Sequence, residues 1–178
     1  MSAPDIRPAT EADLPFVTEI YEHAVRYGTA TFELIPPDVA EMTRRFRALV
    51  EGGYPYLVGV IDGEVVGYAY AGAYRPRPAY RFCLEDSIYL APAAHGQGIG
   101  RLLLAELLSQ CEACGARQML AVIGDSANAA SIGVHRALGF EDSGVLKSVG
   151  WKFDRWLDVV VMQRSLGRGD SAPPADRA

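Results

Sequence analysis

The apolar positions of the chain recur with two different periods, which predicts that helices and strands alternate along it. Leu14, Val17 and Tyr21 lie three or four residues apart, the spacing of one buried helix face, behind a cap at Asp13. Two apolar runs flank Asp62-Gly63 and predict a β-hairpin, because glycine readily adopts the positive φ of a tight turn. Helices are predicted to begin near residues 13, 38, 99 and 128, and strands to cover 6–7, 56–61, 65–70, 86–90, 118–123, 140–145 and 156–162.

The order of these elements is β-α-α-β-β-β-α-β-α-β-β, which predicts an α/β fold (α+β in some schemes) with helices on the faces of a mixed sheet. No internal repeat and no linker-like change of composition interrupts residues 1–166, so they are predicted to form one domain. Residues 167–178 lack apolar periodicity and are predicted to form a disordered C-terminal tail.

The composition of the chain argues against several classes of binding partner. The 178 residues include 17 Lys+Arg and 22 Asp+Glu, and the net charge of −5 argues against a basic face for nucleic acid. No apolar run reaches the ~18 residues of a membrane helix, and no signal peptide precedes the first strand, so we expect a cytoplasmic protein without a membrane partner. The pair Cys111-x-x-Cys114 has no second such pair and no nearby histidine, so no metal site is expected.

One segment passes from a short strand through a glycine-rich loop into a helix, and it reads His95-Gly96-Gln97-Gly98-Ile99-Gly100-Arg101. Backbone amides at a helix N-terminus bind anions, and glycines let phosphate oxygens approach the main chain. A dinucleotide fingerprint would need glycine at position 101, and a Walker loop would need Gly-Lys-Ser/Thr; neither is present. The segment predicts either a diphosphate site of another type, with Arg101 adding charge, or a helix entry loop whose glycines are incidental.

Together with a second segment, this loop resembles the acyl-CoA-binding motifs of the GNAT acetyltransferase superfamily. The second segment, Asn128-Ala-Ala-Ser131 followed by Leu138-Gly139-Phe140, comes after the next predicted strand. Further stretches are similar to the phosphinothricin N-acetyltransferase-like subgroup, namely 29–37, 68–72, 80–89, 121–124 and 150–158. The resemblance implies a GNAT-like, mainly antiparallel central sheet flanked by helices on both faces, acetyl-CoA as co-substrate, no metal, and a homodimer.

The resemblance also implies roles for individual residues. Glu85 is the implied base that takes the proton of the attacking amine, although a solvated charge at a strand end is the alternative. His135, where many GNAT enzymes have tyrosine, is the implied acid for the leaving thiolate, or else a histidine packed against the sheet. The implied acyl-CoA contacts are the main chain of Ile88, Tyr89 and Leu90, the loop Gly96-Gln97-Gly98-Ile99-Gly100-Arg101, and the side chains of Asn128 and Ser131.

Three arginines concentrate in the loop that precedes Glu85, over residues 74–81. A guanidinium group binds carboxylate or phosphinate with two hydrogen bonds, so the loop suits an amino acid or its phosphinic or sulfonyl analogue; a solvated basic loop is the alternative. The resemblance implies substrate contacts at Arg75, Pro76, Arg77, Glu85, Asp86 and Ser87. The large aromatic residues Phe32, Trp151 and Phe153 are candidate walls of the substrate pocket, with plain core residues as the alternative.

The sequence therefore predicts an N-acetyltransferase that moves the acetyl group of acetyl-CoA to the primary amine of a small amino-acid-like substrate, by direct attack on the thioester. Phosphinothricin and methionine sulfone or sulfoximine represent the expected type of substrate. Two alternatives stay open, because a fold carries chemistry better than it carries substrate identity: acetylation of a protein or peptide by the same fold, and a non-catalytic acyl-CoA-binding domain.

Overall fold

A computed structural model describes residues 3–174 of the chain. Seven strands form one sheet in the order β1-β2-β3-β4-β5-β7-β6. The strands are β1 (Asp5–Pro8), β2 (Tyr56–Ile61), β3 (Glu64–Ala73), β4 (Cys83–Leu90), β5 (Gln118–Gly124), β6 (Glu141–Lys152) and β7 (Arg155–Ser165). The helices are α1 (Leu14–Tyr27), α2 (Val39–Glu51), α3 (Ile99–Ala113) and α4 (Ala129–Ala137). The predicted order of helices and strands is confirmed.

The sheet is mainly antiparallel and separates two apolar layers. β4 and β5 are parallel, while the other neighbouring strands pair in antiparallel fashion. Leu57 and Ala69 face the layer that contains α3, whereas the adjacent residues Val58 and Tyr68 face the layer that contains α1 and α2. The predicted mixed sheet with helices on both faces is therefore confirmed. Over residues 3–174 no helix combines the length and the apolar character that a membrane span needs.

The start of α1 differs from the prediction, because Asp13 does not cap it. Thr10 begins a 3-10 turn over Glu11–Asp13, and Asp13 already has helical dihedral angles. Its carboxylate points backwards and accepts hydrogen bonds from the Thr10 amide at 2.7 Å and from both terminal nitrogens of Arg7 at 2.7 and 2.8 Å. The acidic side chain thus joins β1 to the start of the helical layer.

The C-terminal hairpin of β6 and β7 is longer than predicted. Its turn contains Phe153 and Asp154, with φ values of 52° and 53°. Two-residue hairpin turns with positive φ usually use glycine or asparagine, so the sequence carried no clear turn signal at this point. The pairing of the two strands is interrupted between Asp142 and Gly144 and between Leu146 and Gly150.

The first part of the predicted tail lies against the domain. Residues 167–170 form turns, and the Arg117 guanidinium donates hydrogen bonds to the carbonyl oxygens of Ala172 and Pro173 at 2.9 and 3.1 Å. The rest of the predicted disordered tail, residues 175–178, lies outside the described residues. The domain boundary at residue 166 stays a prediction.

The carboxylate of Asp13 gives a prediction about stability and pH. Its hydrogen bonds with Arg7 hold the pKa of Asp13 at about 2. Because this folded-state pKa lies below the unfolded value of ~3.9, the stabilisation is present above that value and is lost as pH falls through about 2. We expect Asp13→Asn to lower the free energy of unfolding at pH 7 by ~1–3 kcal/mol in urea denaturation.

The difference between the variant and the unmodified chain should shrink as the pH of the urea titration approaches 2. Asp62→Asn is the matched control, because Asp62 lies in the β2–β3 turn with a φ of 50°, which asparagine tolerates. An equal loss of stability for Asp13→Asn at pH 7 and pH 2 would contradict the assignment.

Candidate active site

A cleft opens in the middle of the sheet where the parallel strands β4 and β5 stop pairing. Their pairing ends at Asp86 opposite Ala121, although β4 continues to Leu90 and β5 continues to Gly124. β3 stays paired with β4 as far as Leu90, so β4 keeps a strand partner on the side away from the gap. The gap is lined by residues of β4, β5 and α4: Asp86, Ser87, Ile88, Tyr89, Ala121, Val122, Ile123, Gly124, Asn128, Ser131 and His135, with Ala30 from the α1–α2 connection.

The hydrogen bonds of β4 decide which of its main-chain groups face this cleft. The Ala91 amide donates to Val66, and the Cys83 carbonyl accepts from Tyr74, so the odd-numbered residues of β4 direct their main-chain groups toward β3. The main-chain N–H and C=O groups of successive residues in a strand point to alternate sides, so those of Ile88 and Leu90 point toward the cleft. Of the three predicted main-chain contacts, Ile88 and Leu90 are therefore available to a ligand, while Tyr89 bonds to β3.

The predicted glycine loop forms the N-terminus of α3. Gly96 and Gly98 have φ values of 73° and 79°, which explains the need for glycine at these two positions. Within residues 3–174, no backbone carbonyl accepts a hydrogen bond from the amides of residues 96–100, and the first amides bonded to the main chain of this turn are those of Arg101 and Leu102. Consecutive unpaired amides at the positive end of a helix dipole form an anion site.

Two further contacts hold this loop in place. The side-chain amide of Gln97 donates to the Ala93 carbonyl at 2.6 Å. Gly100 is buried in the first turn of α3, where an added Cβ would lie 3.4 Å from the Leu90 side chain. The first turn of α3 therefore packs directly against the end of β4.

Asn128 and Ser131 are brought to the cleft by the start of α4. The side-chain oxygen of Asn128 accepts a hydrogen bond from the Ser131 amide at 3.2 Å and caps the helix. The oxygen of Asn128 is thus used by the cap, and its NH₂ group is the part that can donate to a ligand.

Asp86 and His135 form a buried pair at the closed end of the cleft. Nε2 of His135 lies 2.9 Å from Asp86 Oδ2, and Nδ1 lies 2.7 Å from the Ser131 carbonyl oxygen. Both side chains are 2% exposed. Burial lowers the pKa of His135, but the hydrogen bond and the charge of Asp86 outweigh it, and the net pKa is raised above the ordinary value. Both ring nitrogens are therefore engaged within the protein.

Glu85 is half-buried on the opposite face of β4, as its alternation with Asp86 predicts. Burial raises the pKa of Glu85, and the neighbouring charge of Asp86 raises it further. The elevated pKa makes this carboxylate a stronger base than an exposed glutamate. On the same face, Tyr70 forms a side-chain hydrogen bond with Ser87.

The connection between α1 and α2 contributes Ala30 to the cleft, and sequence reasoning missed Lys152, which helps to hold this connection. Lys152 is buried, and its ammonium group donates to the carbonyls of Gly28 and Thr31, both at 2.8 Å. Phe32 lies against Gly150 and Gly124, where an added Cβ would overlap the ring or come within 3.0 Å of it. A lone lysine in an amphipathic strand gives no sequence signal for this role, but the two glycines do mark a close approach.

Several predicted substrate residues do not line the gap between β4 and β5. Arg75, Pro76 and Arg77 are exposed on the loop before β4, and the Arg75 guanidinium stacks over Tyr74 at 5.1 Å. Trp151 and Phe153 are exposed on the β6–β7 hairpin. Phe32 is the predicted aromatic that the structure brings close to the cleft, through its contact with Gly124. Glu85 does not line this gap either, and the roles of all these residues, Phe32 included, stay predictions.

The geometry fits a ligand with an extended, amide-bearing arm that ends in a diphosphate. The unpaired main chain of Ile88 and Leu90 matches the arm, and the amides of residues 96–100 match the diphosphate. Acyl-CoA has this chemistry, so the residues present suit the predicted co-substrate.

Comparisons with known proteins agree with this description. The model of the acetyltransferase (GNAT) family matches residues 17–140. A phosphinothricin N-acetyltransferase from Alcaligenes faecalis is 55% identical over 169 residues, which cover 95% of this chain and 86% of the relative. An L-methionine sulfoximine/L-methionine sulfone acetyltransferase from Pseudomonas paraeruginosa is 45% identical over 174 residues, which cover 97% of this chain and 100% of the relative.

A solved structure shares the whole architecture. The crystal structure of a GNAT superfamily phosphinothricin acetyltransferase from Sinorhizobium meliloti, in complex with AcCoA, matches with a TM-score of 0.95 and 51% sequence identity. The match covers 98% of this chain and 95% of that chain. The resemblance predicted from the two cofactor motifs is confirmed, and the chain belongs to the acetyltransferase (GNAT) family.

Proposed function

We propose that the chain transfers the acetyl group of acetyl-CoA to the primary amine of a small amino-acid-like substrate of the phosphinothricin or methionine sulfone and sulfoximine type. The observation that carries the proposal is the gap between β4 and β5 beyond Asp86, which leaves the main chain of Ile88 and Leu90 unpaired on that side, together with the five unpaired amides of residues 96–100 at the start of α3. The substrates named for the Alcaligenes and Pseudomonas relatives support the substrate class. We also propose a cytoplasmic location, where thiols are kept reduced.

In this proposal, main-chain groups do most of the binding of acetyl-CoA. The amides of residues 96–100 hold the diphosphate, and the exposed Arg101 adds positive charge. Ile88 and Leu90 pair with the amide-bearing arm, and the NH₂ group of Asn128 donates to it from the other side of the cleft. When bound, acetyl-CoA supplies an acetyl thioester, which is an activated acyl group.

Glu85 removes the proton that keeps the substrate amine from acting as a nucleophile. An ammonium group has no lone pair, so it must lose a proton to a base before it attacks. The raised pKa of Glu85 suits this task, and its half-buried position limits competing hydration of the carboxylate. Attack of the free amine on the thioester carbon would place negative charge on the thioester oxygen, where the cleft-facing main chain of Ile88 and Leu90 can stabilise it. The carbon–sulfur bond would then break as the amide forms, and CoA would leave as a thiolate, which is a good leaving group because a thiol has a pKa of ~8.5.

The arginine loop before β4 supplies positive charge for the acidic end of the substrate. Arg77 is exposed at the start of a short 3-10 turn, and Arg75 is packed over Tyr74 and Tyr80. A guanidinium fork suits a carboxylate, a phosphinate or a sulfonyl oxygen. The protein-modifying alternative predicts instead that peptides, which lack such a compact anionic end, are the better substrates.

We further propose that two copies of the chain associate through the β6–β7 hairpin. β6 is an edge strand, and the hairpin exposes large apolar side chains whose exposed fractions run from 45% to 61%, namely Val145, Leu146, Val149, Trp151, Phe153 and Trp156. An unpaired sheet edge with an apolar surface is typical of an interface. A symmetric dimer would cover this surface with its own copy.

The proposed substrate class is tested by measuring thiol release from acetyl-CoA with a panel of amines. The panel contains the common amino acids, their phosphinic, sulfone and sulfoximine analogues, and peptides with free N-termini. We expect turnover with several amino-acid analogues that exceeds turnover with every peptide, because the arginine loop recognises a compact anionic group. A higher rate with peptides would favour protein acetylation, and no rate with any amine would favour a non-catalytic domain.

The role of Glu85 is tested by Glu85→Gln, which keeps the size of the side chain but removes its basicity. We expect kcat to fall by ~10²–10⁴-fold, the usual contribution of a general base, while the Kd of acetyl-CoA changes little. Because burial raises the pKa of Glu85, the acid limb of the kcat/KM profile should lie above the pKa of an exposed glutamate. Glu64→Gln, at an exposed position of β3, is the matched control; full activity of Glu85→Gln would contradict the assignment.

The proposed dimer is tested by Trp156→Glu, which puts a charge into the exposed apolar surface of the hairpin. We expect the unmodified chain to sediment with the mass of two chains at micromolar concentration and the variant to sediment as a monomer. Tyr27→Glu, at an exposed position of α1 outside the hairpin, is the control and should stay dimeric. A monomeric unmodified chain would contradict the proposal.

A further inference from the structure

We propose that Asp86 is a positioning residue for acyl-CoA, because its hydrogen bond to His135 holds α4 against β4 at the closed end of the cleft and requires one shared proton. The inference rests on the acyl-CoA binding proposed above. In this inference Asp86 contributes to the binding of acyl-CoA, whereas the resemblance implied that it contacts the amine substrate.

The position of Asp86 in the sheet makes this link important. Asp86 is the last residue of β4 that pairs with β5, so beyond it no main-chain hydrogen bonds join the two strands. α4 lies over the gap and carries Asn128 at its cap and Ser131 in its first turn. Among the side-chain hydrogen bonds of residues 3–174, the one between Asp86 and His135 joins β4 to α4. The distance between the two walls therefore depends on this pair.

The hydrogen bonds of His135 determine how many protons the pair holds. The Ser131 carbonyl oxygen can only accept, so Nδ1 of His135 carries a hydrogen. Nε2 faces a carboxylate oxygen at 2.9 Å, and this second hydrogen bond forms only when a further proton lies between the two atoms. The link between α4 and β4 thus needs one proton more than neutral histidine and ionised aspartate provide.

The surroundings of the pair make loss of that proton costly. Phe140 places its ring edge-on at 5.0 Å from the His135 ring, and the core residues of α3 and β5 nearby are apolar. Glu85 is the charged neighbour on the opposite face of β4, and the negative charges of the two carboxylates repel each other. Without the proton, a negatively charged oxygen of Asp86 would face the lone pair on Nε2 of His135. This contact would lie in a buried site beside the carboxylate of Glu85. Repulsion would then separate α4 from β4.

The other oxygen of Asp86 points to the same conclusion. Oδ1 is buried and has no hydrogen-bond partner within residues 3–174, and Asp86 is one of the residues that line the cleft. A buried carboxylate with only one oxygen satisfied depends strongly on that one bond. The raised pKa of His135 means that the bond persists to a higher pH than it would with an ordinary histidine.

The test is the affinity for acetyl-CoA as a function of pH, measured by calorimetry between pH 7 and pH 9.5. This range leaves the charge of the ligand phosphates constant, because their second pKa is about 6. We expect the affinity of the unmodified chain to fall ~5–100-fold once the pair loses its proton, which is the usual size of coupling between two sites. The same titration of Asp62→Asn is the control and should follow the unmodified chain.

Two variants of Asp86 distinguish the effect of the shared proton from the effect of the hydrogen bond between β4 and α4. In Asp86→Asn, the side-chain NH₂ can donate to the lone pair of neutral His135, so the link persists without an extra proton and the affinity should become independent of pH. In Asp86→Ala the link is absent, and the affinity should be reduced throughout the range. An alkaline loss of affinity in Asp86→Asn equal to that of the unmodified chain would overturn the proposal.

A measurement on the unmodified chain keeps the proposal testable if Asp86→Ala fails to fold. The chain has 3 histidines, so the ¹⁵N resonances of His135 can be assigned and titrated. Because coupling is reciprocal, saturation with acetyl-CoA should raise the pKa of His135. An unchanged His135 titration would overturn this inference alone, whereas the absence of any acetyl-CoA binding would overturn the proposed function as well.

Discussion

The separation of β4 from β5 after Asp86 is the constraint on which the rest of the site depends. Hydrogen bonds between neighbouring strands normally satisfy every main-chain group, and a buried unpaired group costs free energy. Here β4 keeps its partner on one side only, so Ile88 and Leu90 offer a row of groups to a ligand. In the proposed binding mode, the sheet would bind acyl-CoA by the same chemistry that holds it together, and side-chain identity would matter little for Ile88 and Leu90.

The fold was largely predictable because its elements are locally marked. Alternating apolar residues, the Asp62-Gly63 turn and the glycines before α3 identified strands, a hairpin and the start of a helix. The length of the C-terminal hairpin was not predictable, since Phe153 and Asp154 adopt positive φ without a glycine to signal it. The predicted cap of α1 at Asp13 was wrong because the Asp13 carboxylate bonds to Arg7 instead. Arg7 lies across a turn from Asp13, so no local sequence pattern indicates this contact.

The parts of the site that are formed by local sequence motifs were predictable. The parts that depend on contacts between residues distant in sequence were not. The glycines of the loop and Asn128 follow a short motif, and the structure brings both to the cleft or its end. The contacts of Lys152 with Gly28 and Thr31 cross more than a hundred residues of sequence, so no local pattern could indicate them. The same holds for the pairing of Asp86 with His135, which was predicted as two separate roles.

The packing of Phe32 on Gly124 and Gly150 has a consequence for how this enzyme could change during evolution. At Gly150 the ring fills the space that a side chain would otherwise occupy, so the sizes of residues 32 and 150 are coupled, whereas a side chain at Gly124 would also overlap the backbone carbonyl oxygen of Thr29. A larger residue at position 150 is compatible only with a smaller one at position 32, and each exchange would reshape the wall beside the cleft. New acceptor preferences should therefore arise through paired exchanges at these positions, with intermediates that carry either a clash or a void.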